Sequence, residues 1–176
     1  MIILFNKPFN VLCQFTDKEG RKTLTDYIPI KNVYAAGRLD SDSEGLVILT
    51  DDGKLQNKIS DPKNKLEKTY WVQVEGIPNE ESLNKLRKGI LLKDGMTKPA
   101  IANLISEPII QERNPPIRER KNIPTSWIEL TISEGKNRQV RRMTAAIGNP
   151  TLRLIRYSIG GWTIENLNPG NYKIIE

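Results

Sequence analysis

A charged, turn-rich loop between two apolar segments is the part of this sequence best suited to chemistry. The segments, residues 33–36 and 46–50, are predicted strands because they are rich in apolar and β-branched residues. The loop between them carries Arg38 and Asp40. Binding and catalytic side chains concentrate on loops that a rigid scaffold holds. This loop is therefore the first place to look for chemistry, although a turn aspartate bonded to its own backbone explains Asp40 as well.

The composition excludes several kinds of catalytic site. The 176 residues include no histidine and a single cysteine, Cys13. A Ser-His-Asp or Cys-His nucleophile system is therefore excluded, as is a zinc site built from histidine and cysteine. Acid and base chemistry must fall to Asp, Glu, Tyr or Lys. Cys13 lies among apolar residues and is expected to be a small core residue.

The charge and the apolar pattern indicate a partner and a location. A net charge of +6 and a pI near 9.4 favour a polyanionic partner, because positive charge raises the local concentration of phosphates. No segment approaches the roughly 20 apolar residues of a membrane span, and the N-terminus lacks the basic flank of a signal peptide. We therefore expect a cytoplasmic protein that does not associate with a membrane.

The order of predicted elements indicates the fold class. Strands are expected at the N-terminus and at residues 68–75, 125–132 and 151–159, with helices after Asp52, after Asn79 and over residues 136–147. Residues 107–124 contain several prolines and charges, which predicts a long excursion without regular structure. Because strands outnumber helices and often follow one another, the sequence favours an α+β fold with a mixed, largely antiparallel sheet.

The predicted helix at residues 136–147 is unusually basic. At helical spacing Val140 and Met143 share a buried face, Arg138 and Arg142 point towards solvent, and Arg141 lies at the edge of the apolar stripe. A solvated helix face explains this pattern as well. The arginines lack acidic partners at i, i+4, however, and like charges repel unless an anion is supplied.

Phosphate is the natural anion for such a helix. Arg153 and Arg156 on the next predicted strand, together with the basic residues of the 107–124 excursion, would extend the same surface. Contacts of this kind contribute affinity and register but carry little sequence information.

Five motifs, in order, have the composition of one known family. They are Leu4-Phe5-Asn6-Lys7-Pro8, Ala36-Gly37-Arg38-Leu39-Asp40 with Ser43-Glu44-Gly45-Leu46, Lys68-Thr69-Tyr70, Glu134-Gly135-Lys136-Asn137-Arg138-Gln139-Val140-Arg141-Arg142-Met143, and Leu154-Ile155-Arg156 with Ile159-Gly160. In these motifs the chain resembles the pseudouridine synthases that modify ribosomal RNA, in the branch named after RsuA. The resemblance covers nearly the whole chain.

Three further stretches refine the resemblance. Gln14-Phe15-Thr16-Asp17, residues 113–121 and residues 123–127 are similar to members that modify one uridine of 23S ribosomal RNA. Most of the branch carries a small N-terminal RNA-binding domain, whereas the family strand begins here at residue 2. The resemblance thus implies one catalytic domain over residues 1–176, without that separate domain.

The resemblance also implies a reaction and catalytic residues. The bond from sugar to base nitrogen breaks, the base turns, and it rejoins the sugar through carbon, so neither a cofactor nor a metal is expected. By the family pattern Asp40 acts on the sugar as nucleophile or base, Tyr70 stacks against the target base, and Arg141 pairs with Asp40. A tyrosine at position 70 is otherwise an ordinary core residue.

Binding roles follow in the same way. Arg38 matches the family residue that fills the gap left by the flipped uridine, and Leu154 and Ile155 match the wall of the base pocket. The RNA-binding side chains that we expect are Arg38, Lys68, Lys136, Arg138, Arg142, Arg153 and Arg156.

Two other hypotheses fit the basic surface. A non-catalytic RNA-binding or ribosome-assembly module would keep the fold and the cationic side chains, and a DNA-binding regulator would use the arginine-rich helix. The family pattern favours the enzyme and a monomer.

Overall fold

The computed structural model describes residues 1–175. They fall into two compact units: unit 1 joins Met1–Leu66 to the C-terminal segment from Arg156, and unit 2 spans Glu67–Ile155. The assignment of residues 1–176 to one catalytic domain stays a prediction, and each unit is described by itself.

Unit 1 is built around two paired strands. Its elements before unit 2 are β1 (Ile2–Lys7), β2 (Tyr34–Ala36), β3 (Glu44–Thr50) and α1 (Gly53–Ser60). β1 pairs antiparallel with β3, and β2 also pairs antiparallel with β3. Helix α1 begins where predicted, because the Asp52 carboxylate accepts a hydrogen bond from Lys54 N at 2.9 Å.

Unit 2 contains most of the helices. Its elements are β4 (Lys68–Glu75), α2 (Glu80–Lys88), β5 (Leu91–Leu92), β6 (Gly95–Met96), β7 (Ile101–Ile105), β8 (Thr125–Ile132), α3 (Gln139–Ala146) and the first residues of β9 (Thr151–Ile159). β8 pairs antiparallel with β4 and with β7, and β5 with β6. Helix α2 is capped by Asn79, whose side chain accepts from Ser82 N at 2.8 Å.

The chain then returns to unit 1. The last residues of β9 lie beside β3, and β10 (Trp162–Thr163) pairs with them. β11 (Tyr172–Ile175) pairs antiparallel with β1. The predicted α+β class, with a mixed and largely antiparallel sheet, is confirmed.

Each unit has its own apolar cluster. In unit 1, strand residues such as Ile3, Phe5 and Val47 pack with Cys13, which is buried as predicted. In unit 2, alternate residues of β4 and β8 pack with α2 and α3. Burying both faces of the central strands in this way is the main source of stability in such small sheets.

Candidate functional site

The loop at residues 37–43 presents the side chains of Arg38 and Asp40 to solvent. Arg38 and Asp40 are exposed, whereas Leu39 between them is 7% exposed and packs into the unit 1 cluster. A turn follows at once, since Ser43 N donates to the carbonyl oxygen of Asp40 at 3.0 Å. The buried leucine therefore fixes the loop, and the Asp40 side chain lies on its open side.

A buried arginine holds the start of this loop. Arg156 is 3% exposed, and its Nε donates to the carbonyl oxygen of Leu46 at 2.9 Å. Its Nη atoms make longer contacts to the carbonyl oxygens of Arg38, at 3.4 Å, and Gly37, at 3.5 Å. A buried guanidinium requires such acceptors, because an unpaired charge away from water is costly.

A buried lysine holds the other side of the loop. Lys7 is fully buried, and its Nζ donates to the carbonyl oxygens of Pro8 at 2.8 Å and Ser41 at 3.3 Å. Burial lowers the pKa of Lys7 from 10.5 to about 8, although Cys13 and the carboxylates of Glu44 and Asp42 act to raise it. Lys7 is the last residue of β1.

Sequence reasoning missed this role of Lys7. Its place in the first family motif was the available signal, but lysine is seldom fully buried. Asp40 thus lies on a loop whose neighbouring carbonyl groups are bound from within unit 1 by Lys7 and Arg156.

A glycine lets the strands meet beside this loop. Gly45 has a φ of +111°, and a Cβ atom placed on it would lie 2.3 Å from the carbonyl oxygen of Arg156. Any side chain would therefore push β9 away from β3 and displace Arg156.

In unit 2, the residues expected to contact the base are buried together. Tyr70 is 8% exposed and belongs to the same apolar cluster as Leu154, Val140 and Met143. Ile155 is 4% exposed and lies outside that cluster. Tyr70 is thus an integral part of the core, with only a small part of its surface open to a ligand.

The basic helix begins three residues later than predicted. Helix α3 starts at Gln139, and Arg138 is its N-cap in the left-handed conformation, with φ of +53°. The prediction of a helix from residue 136 was wrong because side chains fix the preceding residues in another shape.

Two buried polar side chains impose that shape. The Glu134 carboxylate accepts from Lys98 N at 2.7 Å and from Gln139 Nε2 at 2.9 Å. Gln139 Oε1 in turn accepts from Lys136 N at 3.1 Å. No local pattern predicts this network, because Lys98 lies 36 positions away from Glu134 in sequence.

The cationic side chains of unit 2 differ in their surroundings. Arg138 is exposed, and Lys68, Lys136 and Arg141 are partly exposed. Arg142 makes a two-pronged ion pair with Asp94 in the β5–β6 turn, at 2.7 and 3.2 Å, and this pair lowers the pKa of the Asp94 carboxyl. Sequence reasoning looked for acidic partners within the helix and so missed Asp94.

Arg153 and Arg156 do not extend an exposed cationic surface, contrary to the expectation. Arg153 is 7% exposed, and its Nη2 donates to the carbonyl oxygen of Gln111 at 2.9 Å. Both arginines lie on a strand that is largely buried, and each donates to a backbone carbonyl group.

The expected site residues are thus divided between the units. Arg38, Asp40 and Arg156 belong to unit 1, whereas Lys68, Tyr70, Lys136, Arg138, Arg141, Arg142, Arg153, Leu154 and Ile155 belong to unit 2. Within residues 1–175, no group of three or more His, Cys, Asp or Glu residues is arranged to hold a metal ion. In the same range, no helix has the length and apolarity needed to cross a membrane.

Comparison with known proteins gives consistent matches over nearly the whole chain. The family model described as RNA pseudouridylate synthase matches residues 1–146, a range that includes Arg38, Asp40, Tyr70 and Arg141. The ribosomal large subunit pseudouridine synthase E of Vibrio parahaemolyticus is 64% identical over 99% of this chain and 74% of its own length. The protein of the same name from Xanthomonas campestris pv. campestris is 51% identical over 99% of this chain and 95% of its own length.

A solved structure agrees with these sequences. A crystal structure of pseudouridylate synthase matches with a TM-score of 0.79 and 32% identity, covering 99% of this chain and 70% of that one.

Proposed function

The chain belongs to the RNA pseudouridylate synthase family of enzymes, as its motifs indicate, and we propose that it converts one uridine of 23S ribosomal RNA to pseudouridine. The large-subunit target is supported by two relatives that are named ribosomal large subunit pseudouridine synthase E and are more than 50% identical to this chain. The product is an isomer of the substrate, so the reaction needs no oxidant, reductant or second substrate.

Asp40 carries the proposed reaction. The observation in its favour is an exposed carboxylate on a loop whose carbonyl groups are contacted by two buried basic side chains, Lys7 and Arg156. A catalytic group gains from such rigidity, because small misplacements are costly in rate. The family match covers the Arg38-Leu39-Asp40 motif, in which Asp40 is the acidic residue.

The chemistry proceeds at the bond between sugar and base. Asp40 either attacks the anomeric carbon of the sugar or removes a proton from the sugar, and the bond to the base nitrogen breaks. The freed base rotates and forms a bond through its carbon, which loses a proton while the former bonding nitrogen gains one. In the first route the bond between Asp40 and the sugar breaks as the carbon bond forms, and in the second route the proton that Asp40 removed returns to the sugar. By the family pattern, Arg141 pairs with Asp40 and Tyr70 stacks against the base.

Access to the uridine requires that it leave the base stack. Flipping a base out costs a few kcal/mol, and we propose that Arg38 occupies the space left behind. Arg138, Lys68, Lys136 and Arg142 are the proposed phosphate contacts, and the net charge of +6 supports an RNA partner. Leu154 and Ile155 stay the proposed wall of the base pocket, whereas the buried Arg153 and Arg156 are not among the proposed phosphate contacts. A monomer in the cytoplasm stays part of this proposal.

Mapping pseudouridines along ribosomal RNA tests the function. RNA from cells that lack the gene should lose one pseudouridine in 23S RNA, and a plasmid copy of the gene should restore it. The small-subunit RNA from the same cells is the internal control and should be unchanged. An identical 23S map with and without the gene would show that the chain does not modify this RNA.

A further inference from the structure

We propose that Gln14 is a positioning residue that sets the guanidinium of Arg38 for its role in base flipping. This inference rests on the proposed function and adds a residue to it. Gln14 is the first residue of the Gln14-Phe15-Thr16-Asp17 stretch, which is similar to family members that modify 23S ribosomal RNA. None of these four residues has a role in the proposed reaction.

The contact uses both ends of the Gln14 amide. Oε1 accepts a hydrogen bond from Arg38 Nη2 at 3.1 Å, and Nε2 donates to the carbonyl oxygen of Thr16 at 2.8 Å. A guanidinium can only donate and a carbonyl can only accept. The position therefore needs a side chain with one acceptor and one donor, which an amide supplies and a carboxylate does not.

The backbone around Gln14 is fixed, so its side chain starts from a defined place. The carbonyl oxygen of Gln14 accepts from Leu24 N at 2.9 Å, and that of Phe15 accepts from the Thr25 hydroxyl. Cys13 and Phe15 on either side pack into the unit 1 cluster. Gln14 is half-buried and held on both sides by core residues.

The nearby carboxylate is already engaged. Asp17 makes a two-pronged ion pair with Arg21, with both contacts at 3.0 Å, and this pair lowers the pKa of Asp17 to about 2. In this segment the amide of Gln14 contacts Arg38, whereas the carboxylate of Asp17 pairs with Arg21.

A neutral partner has a specific advantage here. An exposed arginine loses side-chain entropy when it is ordered, and part of this loss is met in advance if Gln14 already restricts Arg38. Because the amide carries no charge, Arg38 keeps its full positive charge for RNA. Arg142 is the contrasting case, since Asp94 neutralises it.

The effect should appear in catalysis more than in stability, because an exposed hydrogen bond contributes little to folding. Gln14→Ala, Arg38→Ala and the double variant are compared for single-turnover rate, RNA affinity and melting temperature on the same RNA. Gln56→Ala is the matched control, because Gln56 is also half-buried in unit 1 and donates from Nε2 to a backbone carbonyl, that of Ala35, at 3.1 Å.

We expect Gln14→Ala to lower the single-turnover rate roughly tenfold, as for the loss of one hydrogen bond to a charged group. RNA affinity and melting temperature should stay close to those of the wild type. The double variant should be no slower than Arg38→Ala, because Gln14 acts through Arg38. Gln56→Ala should match the wild type.

Base flipping gives a second readout. A fluorescent adenine analogue placed next to the target uridine brightens when its neighbour leaves the stack, and Gln14→Ala should slow or reduce that signal. Gln14→Glu should keep the acceptor for Arg38 but lose the bond to the carbonyl oxygen of Thr16, and it should weaken RNA binding, since a carboxylate neutralises Arg38.

Three results would overturn the inference. They are a Gln14→Ala rate equal to that of the wild type, rate losses from Gln14→Ala and Arg38→Ala that add in the double variant, and a flipping signal untouched by Gln14→Ala. A wild-type protein that forms no pseudouridine on any ribosomal RNA would instead overturn the proposed function, and this inference with it.

Discussion

The Nζ atom of Lys7 lies 3.3 Å from the carbonyl oxygen of Ser41, the residue that follows Asp40. Arg156 binds carbonyl groups on the other side of Asp40, at Gly37 and Arg38. The proposed catalytic carboxylate is thus placed by buried cations that contact backbone and leave its own side chain on the open face of the loop.

Replacement of Lys7 by methionine should change how stability depends on pH. The lowered pKa of Lys7 means that between pH 8 and 10.5 the unfolded chain holds more protons than the folded one. The free energy of unfolding therefore gains up to roughly 3 kcal/mol from Lys7 as the pH rises through this window. The gain is absent from Lys7→Met.

Urea unfolding of both proteins at several pH values measures this effect. The difference in unfolding free energy, wild type minus Lys7→Met, should increase from pH 8 to 10.5 and be level below pH 8. Titrating groups that do not interact with Lys7 are common to both proteins and cancel. A difference that is level across the whole range would show that Lys7 titrates as an ordinary lysine.

Gly45→Ala should destabilise the protein strongly. The added Cβ atom would lie 2.3 Å from the backbone of Arg156, and alanine is strained at a φ of +111°. We expect a loss of about 3 kcal/mol or more in the free energy of unfolding.

Gly53→Ala is the matched control for that variant. Gly53 begins α1 without a positive φ, and its Cβ would meet nothing within 4 Å. Its stability should stay within about 1 kcal/mol of the wild type. Equal thermal and urea stability of the two variants would contradict the close approach of β9 to β3.

Asp94→Asn should strengthen RNA binding by releasing Arg142 from its ion pair. We expect tighter binding and a slope of affinity against salt that is steeper by about one charge. Filter-binding titrations over a range of salt concentrations measure both quantities.

Glu80→Gln makes the same change in net charge and serves as the control. Glu80 pairs with Arg87, which is not among the proposed RNA contacts. A general charge effect would make the two variants alike, and such a result would remove Arg142 from the RNA surface.

Features set by neighbouring residues could be predicted from the sequence. β4 and β8 have the predicted bounds, because their apolar residues alternate over eight positions. Helix α2 begins after the predicted cap, Asn79. Local spacing and capping were enough in these cases.

Features set by distant residues could not. The start of α3 depends on the Glu134 carboxylate, which binds the backbone of Lys98 in another part of unit 2. The burial of Arg156 depends on the carbonyl group of Leu46, which is 110 positions away in sequence. Local sequence patterns place an arginine on a strand, but they contain no information about acceptors that are distant in sequence.

We propose that Asp40 performs the isomerisation, and the Asp40→Ala variant shows whether its carboxylate is required. Pseudouridine formation is measured in single turnover on a large-subunit RNA transcript, with RNA affinity measured on the same preparation. Asp42→Ala is the control, since Asp42 is the neighbouring carboxylate of the loop.

The backbone turn should survive in Asp40→Ala, because Ser43 N bonds to the carbonyl oxygen of Asp40, which alanine also has. We expect Asp40→Ala to form no detectable pseudouridine and to bind RNA with an affinity close to that of the wild type. Asp42→Ala should still form product. Continued turnover by Asp40→Ala would show that the Asp40 carboxylate does not perform the isomerisation.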